Sequence, residues 1–281
     1  MRRSLSLIRA TITATAACAG EPGAASSTST DDINGGERSS RPDVLFLFEN
    51  TPDGTGFRSC SAVLVAPRVF LTAGHCKPMA YASNDVSSAA VLGKTSPTLG
   101  SAVRVSRWVA ASEALACGDQ GELDLVVGTL ERPLAEAARP LPISIDIPAP
   151  GARCDIVGHG RHAAKGSVTL GEQRSATVNV VGPSDPIWKE LGYPYSSRGI
   201  NVVRGSGAPM SGDSGGPLFC GGRLVGVDSC SVYTTLADRD AMRPPRASVY
   251  TPLARARAFL ADTFASLARE DRTLELPSLP P

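Results

Sequence analysis

The feature that most constrains the fold is the shortness of the apolar runs. Runs such as Val63–Val65 and Val69–Leu71 are separated by clusters of Gly, Pro and Ser, and the chain contains 28 Gly and 22 Pro. Few windows place apolar residues at helical spacing. Short aliphatic runs bounded by turn-forming residues are typical of β-strands. The pattern therefore predicts an all-β chain.

The length and charge limit the classes of protein that the chain can belong to. With 281 residues, 42% of them hydrophobic, the chain can form one domain or two packed halves. The net charge of +1 gives no basis for binding nucleic acid or an anionic membrane surface. No apolar run reaches the roughly 18 residues that a membrane-spanning helix needs, so no transmembrane segment is predicted.

The first 32 residues are interpreted as a targeting segment followed by a linker. Residues 1–19 begin with Arg2 and Arg3 and continue into an apolar stretch, interrupted by Arg9, which indicates an export signal. Residues 20–32 consist largely of Gly, Ser, Thr and Asp, which is typical of a flexible pro-segment or linker. We expect a secreted or periplasmic protein. Acylation of Cys18, giving a lipid anchor, and a wrongly assigned start codon remain as alternatives.

Two short segments carry residues suited to nucleophilic chemistry. They are Phe70–Cys76, with the sequence FLTAGHC, and Ser211–Pro217, with the sequence SGDSGGP. A serine hydroxyl needs a neighbouring base and donors for the oxyanion that forms when it attacks a carbonyl. His75 is a suitable base near neutral pH, and the glycines around Ser214 allow a tight backbone turn.

These two segments resemble the motifs of trypsin-like serine peptidases, the chymotrypsin family. TAGHC at 72–76 is similar to the family's TAAHC, and GDSGGP at 212–217 is identical to its serine motif. INGG at 33–36 is similar to the mature N-terminus IVGG, and VYT at 249–251 to the segment that ends the specificity pocket. Asp124, at the start of an apolar Leu-Val-Val run, resembles the triad aspartate. The resemblance covers residues 33–265 and is identified as that of a secreted, bacterial member.

The resemblance implies a chymotrypsin-like fold of two packed antiparallel β-barrels, with the active site between them and a short C-terminal helix. The peptidase domain would span residues 33–268, with the barrel boundary near 140–150. The apolar spacing within residues 253–268 is compatible with that helix. Residues 269–281 would form a Pro-rich tail whose end, from Leu276, is expected to be disordered.

Each site residue has competitors in the sequence. Asp119, Glu122 and Asp146 are carboxylates near Asp124, but only Asp124 precedes a strand-like run. His159 and His162 lack any comparable context and are interpreted as exposed loop residues. GDSGG also matches the nucleophile elbow of α/β-hydrolases, but that fold needs a histidine after the serine. No His follows Ser214, which excludes that fold.

The resemblance implies a role for each matching residue. Ser214 would attack the scissile carbonyl of a protein or peptide substrate, His75 would act as general base and then acid, and Asp124 would orient His75. The backbone N–H groups of Gly212 and Ser214 would form the oxyanion hole, and Ser229 would hydrogen-bond the triad aspartate. Protein protease inhibitors are expected partners, no cofactor is expected, and the chain is expected to be monomeric.

The resemblance also implies activation by proteolysis. A freed N-terminus at Ile33 would pair with Asp213 and order the pocket, so a zymogen is predicted. Asp32 precedes Ile33, so an activator that cuts after Lys or Arg would not cleave there.

Seven cysteines support export. Six of them, without Cys18, allow fifteen pairings, and the resemblance implies the bridges Cys60–Cys76 and Cys154–Cys220. The remaining pair, Cys117 and Cys230, is hypothesised to form a third bridge that narrows the substrate cleft. No C-x-x-C spacing occurs and only three His exist, so no structural metal site is predicted.

The predicted pocket lacks the acidic residue that trypsin-like specificity requires. The position at its base is Ala208, and Ser231 and Ser248 occupy two further pocket positions, which favours small to medium apolar side chains. Asp228 could restore a preference for basic residues. An inactive binding module remains the alternative function, although such family members usually lose His or Ser. A non-enzymatic β-sandwich adhesin would leave both motifs unexplained. The predicted pocket residues are Ala208, Asp228, Ser229, Cys230, Ser231 and Ser248.

Overall fold

The computed structural model describes residues 33, 35–50, 57–78, 89–92, 102–112, 123–133, 141–164, 167–169, 171–241 and 243–280. These residues form fifteen strands and three helices. The strands are β1 (Glu37–Arg38), β2 (Val44–Asn50), β3 (Phe57–Ala66), β4 (Val69–Thr72), β5 (Ala89–Leu92), β6 (Val103–Ala110), β7 (Val126–Leu130), β8 (Arg153–Gly158), β9 (His162–Ala164), β10 (Ser167–Thr169), β11 (Arg174–Val180), β12 (Ile200–Arg204), β13 (Pro217–Cys220), β14 (Arg223–Val232) and β15 (Ala247–Pro252). The helices are α1 (Ile187–Leu191), α2 (Leu236–Asp240) and α3 (Arg257–Glu270).

The first half of the chain forms a closed antiparallel barrel with the strand order β2-β3-β4-β7-β6-β5. Alternate residues of these strands point inward, as the two-residue period of a strand requires. Leu45, Leu47, Leu64 and Phe70 are among the buried residues that fill the interior. At Gly128 a Cβ atom would lie only 2.0 Å from the ring of Phe70, so the missing side chain leaves room for that ring.

The second half forms a curled seven-stranded sheet with the order β1-β11-β12-β15-β14-β13-β8. Strand β8 pairs with β13 and also with β11, so the pairings form a ring. Side chains of β11 alternate between buried and partly exposed along the whole strand, which is the pattern of a strand with one face on a core. The core of this sheet includes Ile33, Ile156, Val178 and Leu218.

A third apolar cluster joins the two sheets and the C-terminal helix. Val63 and Leu71 of the barrel pack there with Phe219 and Val227 of the curled sheet. The buried residues of α3 are Leu260, Thr263, Phe264 and Leu267, at the i, i+3, i+4 and i+7 positions of one helical face. This arrangement confirms the predicted all-β fold with a short C-terminal helix. None of the helices in the described ranges is long and apolar enough to cross a membrane.

The described residues after α3 pack against the rest of the protein. Arg68 forms an ion pair with Asp271, and the leucines Leu274, Leu276 and Leu279 pack against the cluster that joins the sheets. The expectation of a disordered end from Leu276 is therefore wrong for Leu276 and Leu279. Prolines prevent regular structure there, but the leucines between them still gain free energy by leaving water.

Two of the predicted disulfide bonds are confirmed. Cys60 is bonded to Cys76, and Cys154 to Cys220. Cys230 is also disulfide-bonded. The predicted bridge between Cys230 and Cys117 stays a prediction, because Cys117 lies outside the described residues.

Candidate active site

His75 lies in a 3₁₀ turn that directly follows a buried barrel strand. The turn, Gly74–Cys76, begins two residues after β4 ends, and the Cys60–Cys76 disulfide bonds it to β3. The His75 ring has its Nδ1 atom 2.9 Å from Oδ2 of Asp124, and the His75 backbone N–H donates to Oδ1 at 2.9 Å. A Cβ atom at Gly74 would lie 2.9 Å from Asp124 Oδ1, so glycine lets the carboxylate approach the turn.

Asp124 is buried and hydrogen-bonded from both halves of the molecule. Its side chain contacts His75 of the first half, and its Oδ2 atom accepts a hydrogen bond from the Ser229 hydroxyl of β14 at 2.7 Å. The Thr251 hydroxyl of β15 donates to the Asp124 carbonyl oxygen at 3.1 Å. Burial by itself would raise the pKa of Asp124, but the hydrogen bonds and charge interaction with His75 and the Ser229 bond outweigh it and lower that pKa. The carboxylate is therefore ionised at neutral pH.

Ser214 lies in the loop between β12 and β13, which packs against the first barrel. The Ser214 carbonyl oxygen accepts a hydrogen bond from the Ser61 backbone N–H at 2.8 Å. Gly215, with φ +78°, packs so closely that a Cβ atom there would lie 2.0 Å from the Thr72 hydroxyl and 2.8 Å from the Ala73 nitrogen. Thr72 and Ala73 immediately precede the turn that carries His75. The sheets thus bring the two sequence motifs together, with Ser214 partly exposed at their junction.

Of the five backbone N–H groups from Gly212 to Gly216, three donate hydrogen bonds to carbonyl oxygens of the described residues. The N–H of Asp213 donates to the carbonyl oxygen of Met210. The N–H of Gly215 donates to that of Asp228, and the N–H of Gly216 to that of Asp213. In the described part of the chain no acceptor is hydrogen-bonded to the N–H groups of Gly212 and Ser214. These are the two donors that the resemblance assigned to an oxyanion.

The predicted pocket residues lie on two neighbouring strands and in one loop. Ser231 of β14 and Ser248 of β15 are direct cross-strand partners. Cys230 is buried next to Ser229, and Ala208 is buried in the loop after β12. Ser229 differs from the others, because its hydroxyl is directed at Asp124.

Asp228 is a buried carboxyl group within this pocket set. Asp228 is 3% exposed, and its Oδ1 atom has no hydrogen-bond partner among the described residues. Burial raises the pKa of Asp228 well above its ordinary value, and the negative charges of Asp213 and Asp124 raise it further.

Asp213 and Ile33, the predicted activation pair, are both buried along strand β8. Asp213 accepts hydrogen bonds from the backbone N–H groups of Gly160 at 2.7 Å and Met210 at 2.8 Å. Burial raises its pKa to about 6, although these two hydrogen bonds oppose the shift. Ile33 packs in the core cluster that contains Cys154 and Ile156 of β8, and a Cβ atom at Gly158 of the same strand would meet Asp213 Oδ1. Residues 154, 156 and 158 share one face of a strand.

His159 does not lie on the surface as predicted. It is fully buried, with Nδ1 2.9 Å from the Gly171 carbonyl oxygen and Nε2 3.3 Å from that of Val44. Burial lowers the pKa of His159, against the effect of these hydrogen bonds. The apolar residues Ile156 and Val157 end two residues before His159 and indicate a buried strand, but they do not indicate that the histidine itself is buried. The side chain of His162 lies outside the described part of the chain.

Three further residues position the site and were not predicted to do so from the sequence. Gly74 has no side chain that would keep the Asp124 carboxylate away from the His75 turn. The Thr251 hydroxyl donates to the Asp124 carbonyl oxygen. The Ser61 hydroxyl donates to the Gly212 carbonyl oxygen at 3.0 Å. Cys60, His75 and Cys76 are the one cluster of three potential metal ligands in the described ranges. The two sulfurs are bonded to each other, so they cannot act as thiolate ligands.

Comparison with known proteins agrees with this geometry. The family model described as Trypsin matches residues 33–260. A trypsin of Saccharopolyspora erythraea is 32% identical over 205 residues, covering 70% of this chain and 86% of that protein. The venom serine protease catroxase-1 of Crotalus atrox is 26% identical over 211 residues, covering 72% and 76%. Since these organisms are so different, a bacterial origin stays a prediction.

Solved structures share the fold. Mouse neuropsin, a serine protease, matches with a TM-score of 0.58 at 23% identity, covering 82% of this chain and 98% of that chain. A mutant of human heparin binding protein matches with a TM-score of 0.60 at 21% identity, covering 82% and 96%.

Proposed function

The chain belongs to the trypsin family of serine endopeptidases, and on that premise we propose that it cleaves peptide bonds through an acyl-enzyme formed on Ser214. The observation that carries the proposal is the shared carboxylate of Asp124. It holds the His75 ring from one side and the Ser229 hydroxyl from the other, beside the loop that presents Ser214.

The protonation state of Asp124 decides which nitrogen of His75 is the base. An ionised carboxylate can only accept hydrogen bonds, so Nδ1 of His75 carries the hydrogen that Asp124 Oδ2 accepts. Nε2 is then left with a free lone pair. In the proposed reaction it takes the Ser214 proton during attack and returns it to the leaving amine, while Asp124 stabilises the imidazolium.

The unpaired N–H groups of Gly212 and Ser214 support the oxyanion hole of this mechanism. A tetrahedral intermediate places a negative oxygen close to the serine, where two preorganised donors stabilise it. The neighbouring N–H groups of Asp213, Gly215 and Gly216 are already engaged by backbone carbonyls. Among these five N–H groups of the described loop, those of Gly212 and Ser214 can therefore bind a substrate oxygen without breaking a backbone hydrogen bond.

We propose further that the chain is a zymogen activated by cleavage before Ile33. The buried carboxyl group of Asp213 faces no cation among the described residues, and it lies along the same strand face as the core around Ile33. A new ammonium group at Ile33 would supply the missing charge. That ion pair would fix the loop that contains Gly212 and Ser214.

The remaining proposals concern the setting of the enzyme. We propose that it is secreted and monomeric, acts on protein or peptide substrates, and is open to protein inhibitors. Disulfide bonds such as Cys60–Cys76 and Cys154–Cys220 persist in oxidising compartments, which supports export. The Cys117–Cys230 bridge would border the substrate cleft next to Ser229, and acylation of Cys18 remains an alternative mode of attachment.

The test uses a full-length chain that can be cut before Ile33 after folding. The substitutions Thr28→Asp, Ser29→Asp, Thr30→Asp and Asp32→Lys create an enteropeptidase site; we call this protein the cleavable chain, and its product the cut chain. The cut chain is incubated with a diverse peptide mixture, and the products are identified by mass spectrometry.

Three proteins are compared in this assay. The cut chain should cleave peptides, and so should its Ser266→Ala variant, which removes a hydroxyl on the surface of α3. The Ser214→Ala variant should be inactive, because losing the nucleophile costs roughly 10⁶ in turnover. Equal cleavage by the cut chain and its Ser214→Ala variant would contradict the proposed function.

A further inference from the structure

Ser61 carries a fully buried hydroxyl on the face of β3 where the barrel meets the curled sheet. By the two-residue period of a strand it shares that face with Val63 and Val65, and both valines pack in the apolar cluster that joins the two sheets. A hydroxyl group in such surroundings is disfavoured unless its hydrogen-bonding capacity is used. The hydrogen bonds of Ser61 must therefore offset the free-energy cost of its burial.

The Ser61 hydroxyl links two backbone segments of the second half of the chain. It accepts a hydrogen bond from the His159 backbone N–H at 2.9 Å and donates to the Gly212 carbonyl oxygen at 3.0 Å. Because an N–H group can only donate and a carbonyl oxygen can only accept, these two bonds fix the direction of the hydroxyl hydrogen. The next residue, Gly160, donates its N–H to Asp213 Oδ1 at 2.7 Å. Two consecutive N–H groups after β8 thus hold the loop that carries the nucleophile, one of them through Ser61.

The backbone of Ser61 binds the same loop at a second point. Its N–H donates to the Ser214 carbonyl oxygen at 2.8 Å, and its own carbonyl oxygen accepts from the Thr72 hydroxyl at 2.8 Å. Ser61 therefore holds the carbonyl oxygens of Gly212 and Ser214, the two residues whose N–H groups are proposed to bind the oxyanion. Gly212 has a φ of +98°, and a glycine has no side chain of its own to limit its backbone conformation. The Ser61 hydroxyl supplies a restraint that Gly212 lacks.

We infer that Ser61 is a positioning residue of the oxyanion hole, whose hydroxyl fixes the Gly212 carbonyl group so that the N–H groups of Gly212 and Ser214 converge on one point. This inference rests on the proposed function, since it concerns the same intermediate. It goes beyond that function, because it assigns part of the rate to a buried side chain that a substrate cannot reach. Donors stabilise an oxyanion best when they need no reorganisation during the reaction. Without the hydroxyl, the backbone at Gly212 is free to turn.

The kinetic test compares Ser61→Ala with the loss of a buried hydroxyl elsewhere in the cut chain. Ser61→Ala should lower kcat by about 100-fold, the loss that a displacement of about 1 Å in a positioned group causes, and should leave KM within about twofold. Ser144→Ala removes the hydroxyl of another buried serine, which binds Asp146, and should leave both constants unchanged. A kcat of the Ser61→Ala variant within about twofold of that of the cut chain would overturn the inference.

A pair of inhibitors separates a positioning role from a general weakening of the site. When a peptidyl trifluoromethyl ketone binds, Ser214 Oγ adds to the carbonyl carbon, the Ser214 proton passes to His75, and the ketone oxygen becomes the oxyanion. The corresponding trifluoromethyl alcohol binds without forming an oxyanion. Ser61→Ala should weaken binding of the ketone about 100-fold and leave binding of the alcohol unchanged, because only the ketone uses the two N–H groups. Equal weakening of both compounds would show a merely structural effect and overturn the inference.

Hydrogen exchange tests the inference without catalysis. Exchange at the hydrogen-bonded amides of Asp213, Gly215 and Gly216 is followed by NMR in the cut chain carrying Ser214→Ala, with and without Ser61→Ala. The exchange rates should rise about tenfold without the Ser61 hydroxyl, because the loop loses one buried hydrogen bond. This rise would support the inferred restraint even if no peptide were cleaved. Peptide cleavage by the cut chain together with unchanged exchange rates would leave the proposed function standing and refute the inference.

Discussion

Cleavage before Ile33 should reverse the effect of Asp213 on the pH dependence of stability. In the intact chain this buried carboxyl group has a pKa raised to about 6 from an ordinary 3.8. A carboxyl group whose pKa is raised by folding stabilises the fold while it is protonated. That contribution is fully present below pH 3.8 and is lost as the pH rises through about 6.

The size of the effect follows from the shift. About two pKa units separate the folded and unfolded values, and each unit corresponds to about 1.4 kcal/mol. The intact chain should therefore lose about 3 kcal/mol of unfolding free energy through Asp213, most of it between pH 4 and 7. After cleavage, an Ile33 ammonium paired with Asp213 would lower the same pKa. The contribution would then be present at neutral pH and would be lost as the pH falls.

Urea unfolding of four proteins measures this difference. The cleavable chain carries Ser214→Ala to prevent self-digestion and is studied intact and cut, each with and without Asp213→Asn. The difference in unfolding free energy between each protein and its Asp213→Asn variant, followed from pH 4 to 8, isolates the carboxyl group. Asp155→Asn, which removes an exposed carboxylate, is the matched control. Identical pH profiles before and after cleavage would refute the proposed pairing of Ile33 with Asp213.

Two further predictions test other parts of the site and the fold. Asp124→Asn should lower kcat by about 10⁴, because an amide donor at this position favours the wrong His75 tautomer; a loss under tenfold would contradict the proposed role. Gly128→Ala should lower the unfolding free energy by about 2 kcal/mol, because the added methyl group overlaps the Phe70 ring. Urea unfolding measures this loss, and an unchanged midpoint would contradict the prediction.

The sequence predicted the parts of the site that lie in contiguous motifs. His75 and Ser214 are each surrounded by residues whose spacing is local, so their segments could be recognised without knowing the fold. Asp124 was harder, because it depends on burial and on contacts with Ser229 and Thr251 that are far away in the chain. The all-β fold followed from the short apolar runs.

Features that arise from tertiary packing could not be predicted in this way. His159 has a polar side chain between two glycines, and only the closed structure supplies the carbonyl groups of Val44 and Gly171 that make its burial possible. The tail leucines pack because an apolar surface is near them. The isolation of Asp228 is likewise a property of its surroundings.

The most direct test of the central claim is covalent labelling of the cut chain by a fluorophosphonate, with the modified residue located by mass spectrometry. The proposed mechanism predicts a single adduct on Ser214 in the cut chain, and none over the same time in its His75→Ala variant. An adduct on another residue, or equal labelling of Ser214 without His75, would contradict the mechanism.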